Sequence, residues 1–372
     1  MKSIYLDFNA STPVARAVVE AICPYSEGHY GNPSSAHWAA QSARAAVETA
    51  RGQVAQLLGC HPDEAVFTSG GSESNNLALK GLFFRRIGRS SHLITSQIEH
   101  PSIIEPCRFL ERLGAKVTYV RVDGAGLVDP DDVRRAITKD TFLISIMHAN
   151  NEVGTVQPIA EIAKIAREHD IPLHTDAAQS IGKIPAKVDD LGIDLLSVAG
   201  HKVYAPKGIG ALYIRRGIKI EPLIHGAGHE RGRRAGTESA LLTAALGTAC
   251  GIAQPWIGMP AVRRLRDLFW GRLRAAFGNQ ITLNGHPELR LPNTLNVSFV
   301  GRVGADILAR IPEVAASTGS ACHAGEITLS PVLKAMGIAP EVSMGAIRFS
   351  LGRSTSQQEI EEVVNQLTRA LA

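Results

Sequence analysis

Hydrophobic positions between about residues 50 and 215 follow two periods that alternate along the chain. Helices are predicted where apolar residues recur every three to four positions, as in SESNNLALKGLFFRR and PIAEIAKIAREHD. Strands are predicted at short runs rich in β-branched and other apolar residues: AVFTS (65–69), HLITS (92–96), KVTYVRV (116–122), TFLISIM (141–147), IPLHT (171–175), DLLSV (194–198) and GALYIRR (210–216). This repeated strand–helix order predicts an α/β fold with a mostly parallel seven-stranded sheet between helices.

The pattern changes beyond about residue 255. One long amphipathic helix, VRRLRDLFWGRLRAAFG, is followed by the strand-like pieces NTLNVSFV (293–300) and GAIRFSLG (345–352), and the helical pattern SQQEIEEVVNQLTRAL closes the chain. We therefore expect a large domain over residues 16–254. Residues 1–15 and 255–372 are expected to form a smaller α+β domain that carries Cys322.

Composition narrows the class of protein. The 372 residues are 45% hydrophobic and 20% charged, with a net charge of +4, which is typical of a globular protein. The basic run RGRR at 231–234 is too short to indicate nucleic-acid binding. The sequence contains no run of about 18 apolar residues that would predict a membrane span, and its first residues lack the pattern of a secretory signal. We therefore expect a cytoplasmic location.

The five cysteines include no Cys-x-x-Cys pair, which argues against a disulfide framework or a structural zinc site. Cys23, Cys60, Cys107 and Cys250 lie within or at the ends of apolar, helix-like runs, and all four are predicted to be buried. Cys322 differs, because its segment STGSACHAGE has no apolar face. Its thiol is therefore a candidate for chemistry rather than for packing.

Polar residues follow five of the predicted strands at the point where each strand ends. In an open α/β sheet, ligands bind beyond the carboxyl ends of the strands, so these residues are predicted to share one site. They lie in the sequences GGSES, QIEH (which ends in His100), HANNE, DAAQ and AGHK.

The residue types at this edge suggest a cofactor. GGSES leads into a predicted helix, so the amides of Gly71 and Ser72 are placed to bind a phosphate, although Ser72 could also be a plain N-cap. Asp176 and Lys202 both follow apolar strands, where an isolated charge is costly. They could form a direct ion pair. Alternatively, pyridoxal phosphate lies between them, with Lys202 on its aldehyde and Asp176 on its ring nitrogen.

The chain resembles the cysteine desulfurases, the NifS-like members of the class V aminotransferases. The resemblance runs in order from LDFNASTPV near the start to LGRST near the end, and so covers essentially the whole chain. It implies the large fold of pyridoxal-phosphate-dependent transferases and a homodimer. It is carried by the motifs TSGGSESNN, HANNEVG, HTDAAQSIGK, GHKVYAPKGIGALY, GAGHERGRRAGTES, GSACHAGE and IRFSLGR.

The resemblance also implies roles for residues around the cofactor. Lys202 would bind pyridoxal 5'-phosphate covalently, Asp176 would pair with the ring nitrogen, and His100 would stack on the ring and act as an acid or base. Asn151 and Gln179 would bond the ring hydroxyl oxygen, and Asn151 would also contact substrate. The phosphate would be held by four residues, the last contributed by the partner subunit: Gly71, Ser72, His201 and Thr237.

The implied reaction converts L-cysteine to L-alanine. Arg348 would bind the substrate carboxylate, although the pattern of IRFSL alone predicts a solvent-facing residue there. Cys322 would take the substrate sulfur as a persulfide and pass it to an acceptor protein or small thiol, for iron–sulfur cluster assembly, thio-modification or related sulfur trafficking. A thiol that both attacks and delivers is expected on a mobile segment. No metal is expected.

Alternatives follow from departures within the motifs. Ala199 stands where many desulfurases have a serine, and Ala321–Cys322–His323 is similar to the ACH sequence of selenocysteine lyases, so L-selenocysteine is an alternative substrate. His323 could also lower the pKa of the neighbouring thiol. An inactive sulfur-relay or scaffold subunit, a Cys–His hydrolase and a metal enzyme built on HGAGH (225–229) are further alternatives, the last disfavoured by its glycines.

Overall fold

The computed structural model describes residues 3–318, 321–323 and 326–371, with residues 321–323 and 326–328 described as backbone only. The described strands are β1 (Ile4–Tyr5), β2 (Ala65–Thr68), β3 (His92–Ser96), β4 (Lys116–Val120), β5 (Thr141–Ser145), β6 (Leu173–Asp176), β7 (Leu195–Ala199), β8 (Gly210–Ile214), β9 (Ile281–Asn284), β10 (Thr294–Phe299), β11 (Val314–Ala315), β12 (Ser317–Thr318), β13 (Ala321–His323), β14 (Glu326–Thr328) and β15 (Ala346–Ser350).

The described helices include the four predicted above, whose bounds agree with the prediction to within two residues. They are α1 (Arg16–Glu27), α2 (Ala40–Leu58), α3 (Gly71–Phe84), α4 (Pro101–Arg112), α5 (Pro130–Ala136), α6 (Ile159–Glu168), α7 (Val188–Leu191), α8 (Ala240–Gly251), α9 (Pro260–Phe277), α10 (Gly304–Ala309), α11 (Pro331–Ala335), α12 (Pro340–Ser343) and α13 (Gln357–Leu371).

The central sheet has seven strands in the order β2-β8-β7-β6-β5-β3-β4. Every neighbouring pair is parallel except those of β8, which is antiparallel to both β2 and β7. All the strands of this sheet other than β8 therefore point the same way, and their carboxyl ends meet at one edge. The predicted α/β fold with a mostly parallel seven-stranded sheet is confirmed.

Hydrophobic side chains cover both faces of this sheet. One cluster joins the sheet to α2, α6 and α8 through residues such as Val54, Ile162 and Leu246. A second cluster joins the opposite face to α3 and α4 through Leu77 and Leu110. Because both faces are covered, the strands have continuous apolar runs rather than alternating ones.

A smaller antiparallel sheet, β12-β15-β10-β9, packs against α9 and α13. Its hydrophobic cluster includes Ile4 and Leu6 from the N-terminus together with Phe269 and Leu367. The first residues of the chain thus share a core with its last hundred or so. The predicted small domain, residues 1–15 and 255–372, stays a prediction.

The four cysteines with described side chains differ in exposure. Cys107 and Cys250 are buried, as predicted, and Cys60 is half-buried. The prediction of burial is wrong for Cys23, which is exposed. The reason is that α1 buries only Val18 and leaves its outer face, including Val19, in solvent. Cys322 lies on β13, where its backbone is paired with Ile327 of β14, and the side chains of Cys322 and His323 lie outside the described residues.

Within the described part of the chain, no single helix has the length and apolar content to cross a membrane, although the bent pair Ala240–Gly251 and Gln254–Gln280 meets both criteria together.

Candidate active site

A cavity of about 420 Å³ opens at the carboxyl edge of the central sheet. All five strands that were predicted to deliver polar residues contribute to it, so the predicted convergence on one edge is confirmed. The N-terminal segment and β15 complete the wall. The lining residues are Asn9, Ala10, Gly71, Ser72, His100, Ser102, Met147, Ala149, Asn151, Asp176, Ala178, Gln179, Ala199, His201, Lys202 and Arg348.

The start of α3 forms one end of this cavity. Gly70 precedes the helix with φ of 152° and ψ of −177°, a conformation open essentially to glycine alone. The turn also lies against β8, because a Cβ added to Gly210 would come within 2.7 Å of the Gly70 Cα. The turn therefore exposes the first amides of α3, including those of Gly71 and Ser72, where a helix end favours an anion.

The methyl group of Ala199 lies beside this helix end. A Cβ built on Gly71 would be 3.2 Å from the Ala199 Cβ, so the two positions are neighbours on the cavity wall. The Ala199 side chain has no hydroxyl to add to the donors of the helix end. The departure noted in the sequence thus lies at the proposed phosphate position.

Asp176 ends β6 and is 7% exposed. Its Oδ2 accepts a hydrogen bond from Asn75 Nδ2 at 2.7 Å, and its Oδ1 accepts one from the Ala178 amide at 2.9 Å. Among the described residues it forms no ion pair with Lys202. The direct ion pair between Asp176 and Lys202 that the sequence left open is therefore absent, and both side chains line the same cavity without pairing to each other.

Lys202 ends a short 3₁₀ turn, Gly200–Lys202, directly after β7. Its Nζ donates to the carbonyl oxygens of Asn9 at 2.6 Å and Ala10 at 2.7 Å. Burial, and secondly the charge of Arg348, lower the pKa of the amine from 10.5 to about 8, while Asp7 and Asp176 oppose that change. The cost of an isolated charge after this apolar strand, which the sequence indicated, is the physical cause of the lowered pKa.

His100 caps the N-terminus of α4. Its Nδ1 accepts from the Ser102 amide at 3.1 Å and lies 2.8 Å from Ser102 Oγ. A ring nitrogen that accepts a backbone N–H carries no proton, so the neutral ring is protonated at Nε2. Desolvation, together with the charge of Lys202, lowers the pKa of His100 below 6.5 against the opposing effect of Asp176. The ring is therefore neutral near pH 7, with Nε2–H as its available donor.

His201 lies between the turn that carries Lys202 and the N-terminal segment. Its Nδ1 is 3.4 Å from Ser11 Oγ, and its carbonyl accepts from Thr12 Oγ1 at 3.1 Å. Burial, and then the charges of Lys202 and Lys207, lower the pKa of its ring to about 4. It is a neutral hydrogen-bonding group rather than a cation at pH 7.

Arg348 lies on β15 and reaches the cavity, so the solvent-facing position that its strand pattern alone predicted is wrong. Its side chain is 11% exposed because the N-terminal segment covers it. Nη2 forms an ion pair with Asp7 Oδ1 at 2.7 Å, and Nη1 donates to the Asn151 carbonyl at 3.0 Å. Its Nε is buried without a partner in the described chain, which leaves a donor for a ligand.

Two of the predicted site residues are not on this wall. Thr237 is exposed and does not line the cavity of its own chain. The side chain of Cys322 lies outside the described residues. The structure brings the other nine together: Gly71, Ser72, His100, Asn151, Asp176, Gln179, His201, Lys202 and Arg348.

Sequence reasoning missed four polar residues that organise the site: Asp7, Asn9, Asn75 and Lys183. Each lies inside a motif quoted above, but each has a partner that is remote in sequence. No local pattern of residues signals these pairings. The HGAGH segment does not form a metal site, since the described residues contain no cluster of three or more His, Cys, Asp or Glu side chains suited to a metal.

The model of the family described as Aminotransferase class-V matches residues 4–363. The chain belongs to the class-V aminotransferases. Within this family it is similar to the cysteine desulfurase IscS of Dictyoglomus turgidum, with 46% identity over 100% of this chain and 95% of that protein. It is also 45% identical to the cysteine desulfurase IscS of Methanosarcina thermophila, over 98% of this chain and 90% of that protein.

Solved structures of similar proteins have the same architecture. A NifS-like protein superposes with a TM-score of 0.92 at 35% identity, covering 99% of both chains. A structure described as SspA in complex with cysteine superposes with a TM-score of 0.85 at 43% identity, covering 94% of this chain and 99% of that one. The likeness extends over both sheets.

Proposed function

We propose that this class-V aminotransferase is a cysteine desulfurase that uses pyridoxal 5'-phosphate to convert L-cysteine to L-alanine. One observation carries the proposal: the Lys202 amine, with a lowered pKa, shares a cavity with the Asp176 carboxylate without pairing to it. Both of the similar proteins described above are named cysteine desulfurases, which supports the same reaction. The cysteine complex of a protein of similar fold supports the substrate.

The residues present fit the cofactor. The exposed amides at the start of α3 suit a phosphate, and Asp176, held by Asn75 and Ala178, suits a protonated ring nitrogen. Lys202 suits the aldehyde, because an amine with a pKa of about 8 has a substantial neutral fraction near neutral pH. When bound, the cofactor supplies an electron sink that makes the substrate sulfur open to attack.

The remaining residues bind and orient the substrate. We propose that Arg348 binds the substrate carboxylate, with Asp7 and the Asn151 carbonyl holding its guanidinium in place. His100 stacks on the cofactor ring and offers Nε2–H, because Ser102 occupies its Nδ1. His201 and Ser72 add neutral donors at the phosphate, and Thr237 contributes to the partner's site in a homodimer.

Cys322 is proposed to form a sulfur–sulfur bond with the substrate while the substrate's carbon–sulfur bond breaks. The CH2–SH group of the substrate and the Cys322 thiol together become the methyl group of alanine and a Cys322 persulfide. The carbon is reduced as the sulfur is oxidised, so atoms and electrons balance without an external oxidant. Lys202, with its pKa near 8, is able to hold and return a proton at Nζ. The persulfide then passes its sulfur to an acceptor thiol.

The test is stoichiometry together with the sulfur carrier. Purified chain loaded with pyridoxal phosphate is given L-cysteine and dithiothreitol, and we expect alanine and sulfide in a one-to-one ratio. Mass spectrometry without the reductant should find one extra sulfur atom on Cys322. Cys322→Ala should reduce turnover to background, whereas Cys23→Ala, which removes an exposed cysteine far from this chemistry, should not.

The alternatives give different results in the same assay. A selenocysteine lyase would release alanine from L-selenocysteine in the Cys322→Ala variant and would consume little L-cysteine. An inactive relay or scaffold subunit would bind the cofactor and consume neither amino acid. A Cys–His hydrolase would need no cofactor for its activity.

A further inference from the structure

A second buried lysine lies behind the cavity, and none of the roles above uses it. Lys183 is 5% exposed. Its Nζ donates to Gln179 Oε1 at 2.8 Å and to Asn9 Oδ1 at 3.1 Å. Both backbone polar groups of Lys183 are hydrogen-bonded: its N–H donates to the Ser180 carbonyl at 3.0 Å, and its carbonyl accepts from the Gly258 amide at 2.8 Å. The amine is therefore fixed in place and not merely enclosed.

Each side-chain amide has a further contact that shows which of its atoms faces Lys183. Gln179 Nε2 donates to the backbone carbonyl of Asn9 at 2.9 Å, so its Oε1 must face the other way, toward Lys183. Asn9 Nδ2 donates to the Asn151 carbonyl at 3.2 Å and to Thr294 Oγ1 at 2.8 Å, which turns its Oδ1 toward the lysine as well. Carbonyl oxygens can only accept, so Lys183 is the donor in both bonds.

This arrangement decides what Gln179 can offer to the cavity. Its oxygen accepts from Lys183, and one N–H donates to Asn9, which leaves the second N–H. Gln179 lines the cavity, so it presents a donor there and not an acceptor. Without the lysine, the Gln179 oxygen would lose its fixed partner and the amide could rotate.

The surroundings of Lys183 are otherwise unfavourable to a cation. Burial, with the charges of Lys202 and Arg348, lowers the pKa of its amine well below 10.5. An amine held under these conditions needs its two acceptors, because a buried donor without a partner is destabilising. Lys183 and the two amides thus form a unit in which each member fixes the others.

We propose that Lys183 is a positioning residue: it locks the Gln179 amide so that an N–H faces the ring hydroxyl of the cofactor. The inference rests on the proposed function, because it concerns the same cofactor. A ring oxygen that carries negative charge is stabilised by a donor and repelled by a carbonyl oxygen. Lys183 therefore tunes the cofactor on Lys202 without touching it.

The first experiment measures the loaded protein without turnover. The visible absorbance of the bound cofactor is titrated against pH, and cofactor affinity is measured by dialysis. Lys183→Met should raise the midpoint of the absorbance titration by about one pH unit and weaken cofactor binding by about tenfold, as expected for loss of one hydrogen bond to a charged group. Lys187→Met is the matched control, since Lys187 lies four residues on and is exposed, and should change neither quantity.

The midpoint of the absorbance titration also depends on the other titratable and charged groups near Lys202. None of these is mutated, so their contribution stays constant: Asp7, His100, Asp176, His201 and Arg348. Lys183→Gln keeps an N–H donor of similar length but no charge. If Lys183 acts by positioning, the midpoint of this variant stays close to that of the wild type. If the midpoint of Lys183→Gln rises by a full pH unit, the charge alone matters and the proposal is overturned. This variant therefore tests the proposal even if Lys183→Met does not fold.

A double-mutant cycle decides whether the effect passes through Gln179. In a Gln179→Ala background, Lys183→Met should produce no further rise in the midpoint, because the group it positions is gone. An undiminished rise in that background contradicts the proposal. The wild-type protein separates the two levels of inference: if it shows no cofactor band at all, the proposed function has failed, whereas a wild-type band with an unchanged Lys183→Met titration refutes the role of Lys183 alone.

Discussion

Lys202 of the unloaded protein is expected to lose its proton near pH 8, far below the ordinary lysine value of 10.5. At pH 8 about half of the Lys202 amines are then neutral, against about 0.4% for an exposed lysine with a pKa of about 10.4. Its reactivity toward an electrophile at that pH should therefore exceed that of an exposed lysine by about a hundredfold. Below pH 8 the charged form is supported by the carbonyls of Asn9 and Ala10.

Competitive labelling measures this difference directly. The unloaded protein is treated with trace amounts of acetic anhydride at pH values from about 6 to 11, unfolded, labelled to completion with a heavy reagent and mapped by mass spectrometry. Lys219 is exposed and serves as the internal reference. We expect a labelling midpoint near 8 for Lys202.

Two variants test the cause of the shift. Removing a cation favours the protonated amine, so Arg348→Gln should raise the Lys202 midpoint, since the Arg348 charge contributes to lowering that pKa. Asp176→Asn should lower the midpoint, because the Asp176 carboxylate opposes the effect of burial. A wild-type Lys202 with a midpoint near the ordinary lysine value of 10.5, or variants that shift the midpoint in the reverse directions, would refute the electrostatic reasoning.

Three further predictions follow from other parts of the fold. Ala199→Ser adds a hydroxyl beside the start of α3 and should tighten cofactor binding about fivefold by equilibrium dialysis, as one added hydrogen bond of about 1 kcal/mol would; no change would place the phosphate elsewhere. Burial lowers the pKa of His174 to about 3, so between about pH 3 and 6.5 the unfolded chain binds one more proton than the folded chain, and stability falls on acidification. His174→Asn should therefore flatten the decline of Tm between about pH 6.5 and 4, and an unchanged slope would contradict this. Arg51 pairs with Glu230 at 2.7 Å, with side chains 3% and 2% exposed, so Arg51→Met should reduce the free energy of unfolding in urea by about 3–5 kcal/mol. Arg108→Met, in an exposed pair with Glu105, should reduce it by less than about 1 kcal/mol. Equal losses in the two variants would show that burial is not decisive.

The central sheet and the edge that carries the site could be predicted because both depend on local patterns. Apolar runs separated by helical periods define a mostly parallel sheet, and the direction of its strands fixes where the following residues go. Gly71, His100, Asp176 and Lys202 all lie within a few residues of a strand end, so their convergence needs no knowledge of distant contacts.

The residues that sequence reasoning missed depend on long-range contacts. Asp7 meets Arg348 across nearly the whole chain, and Asn9 meets Lys183 and Lys202 far along it. No local period encodes such a pairing, because the partners are far apart in sequence and meet only through the tertiary fold. The same limit explains Arg348, whose strand pattern gives no sign that the first residues of the chain cover it.

Other features depend on geometry that a motif does not contain. The exposed position of Cys23 follows from the single buried residue of α1, although its sequence is apolar enough to predict burial. Thr237 is quoted in a motif of the family, yet it lies away from the cavity of its own chain. Its proposed role therefore depends on a second subunit.

Reductive trapping of the cofactor is the most direct measurement of the central proposal, that Lys202 holds pyridoxal phosphate. Borohydride converts a lysine–pyridoxal linkage into a stable amine, which proteolysis and mass spectrometry then assign to one peptide. We expect the label on Lys202 alone and its loss in Lys202→Ala. A label on Lys183 or Lys207 instead, or a chain that takes up no label after incubation with pyridoxal phosphate, would contradict the proposed function.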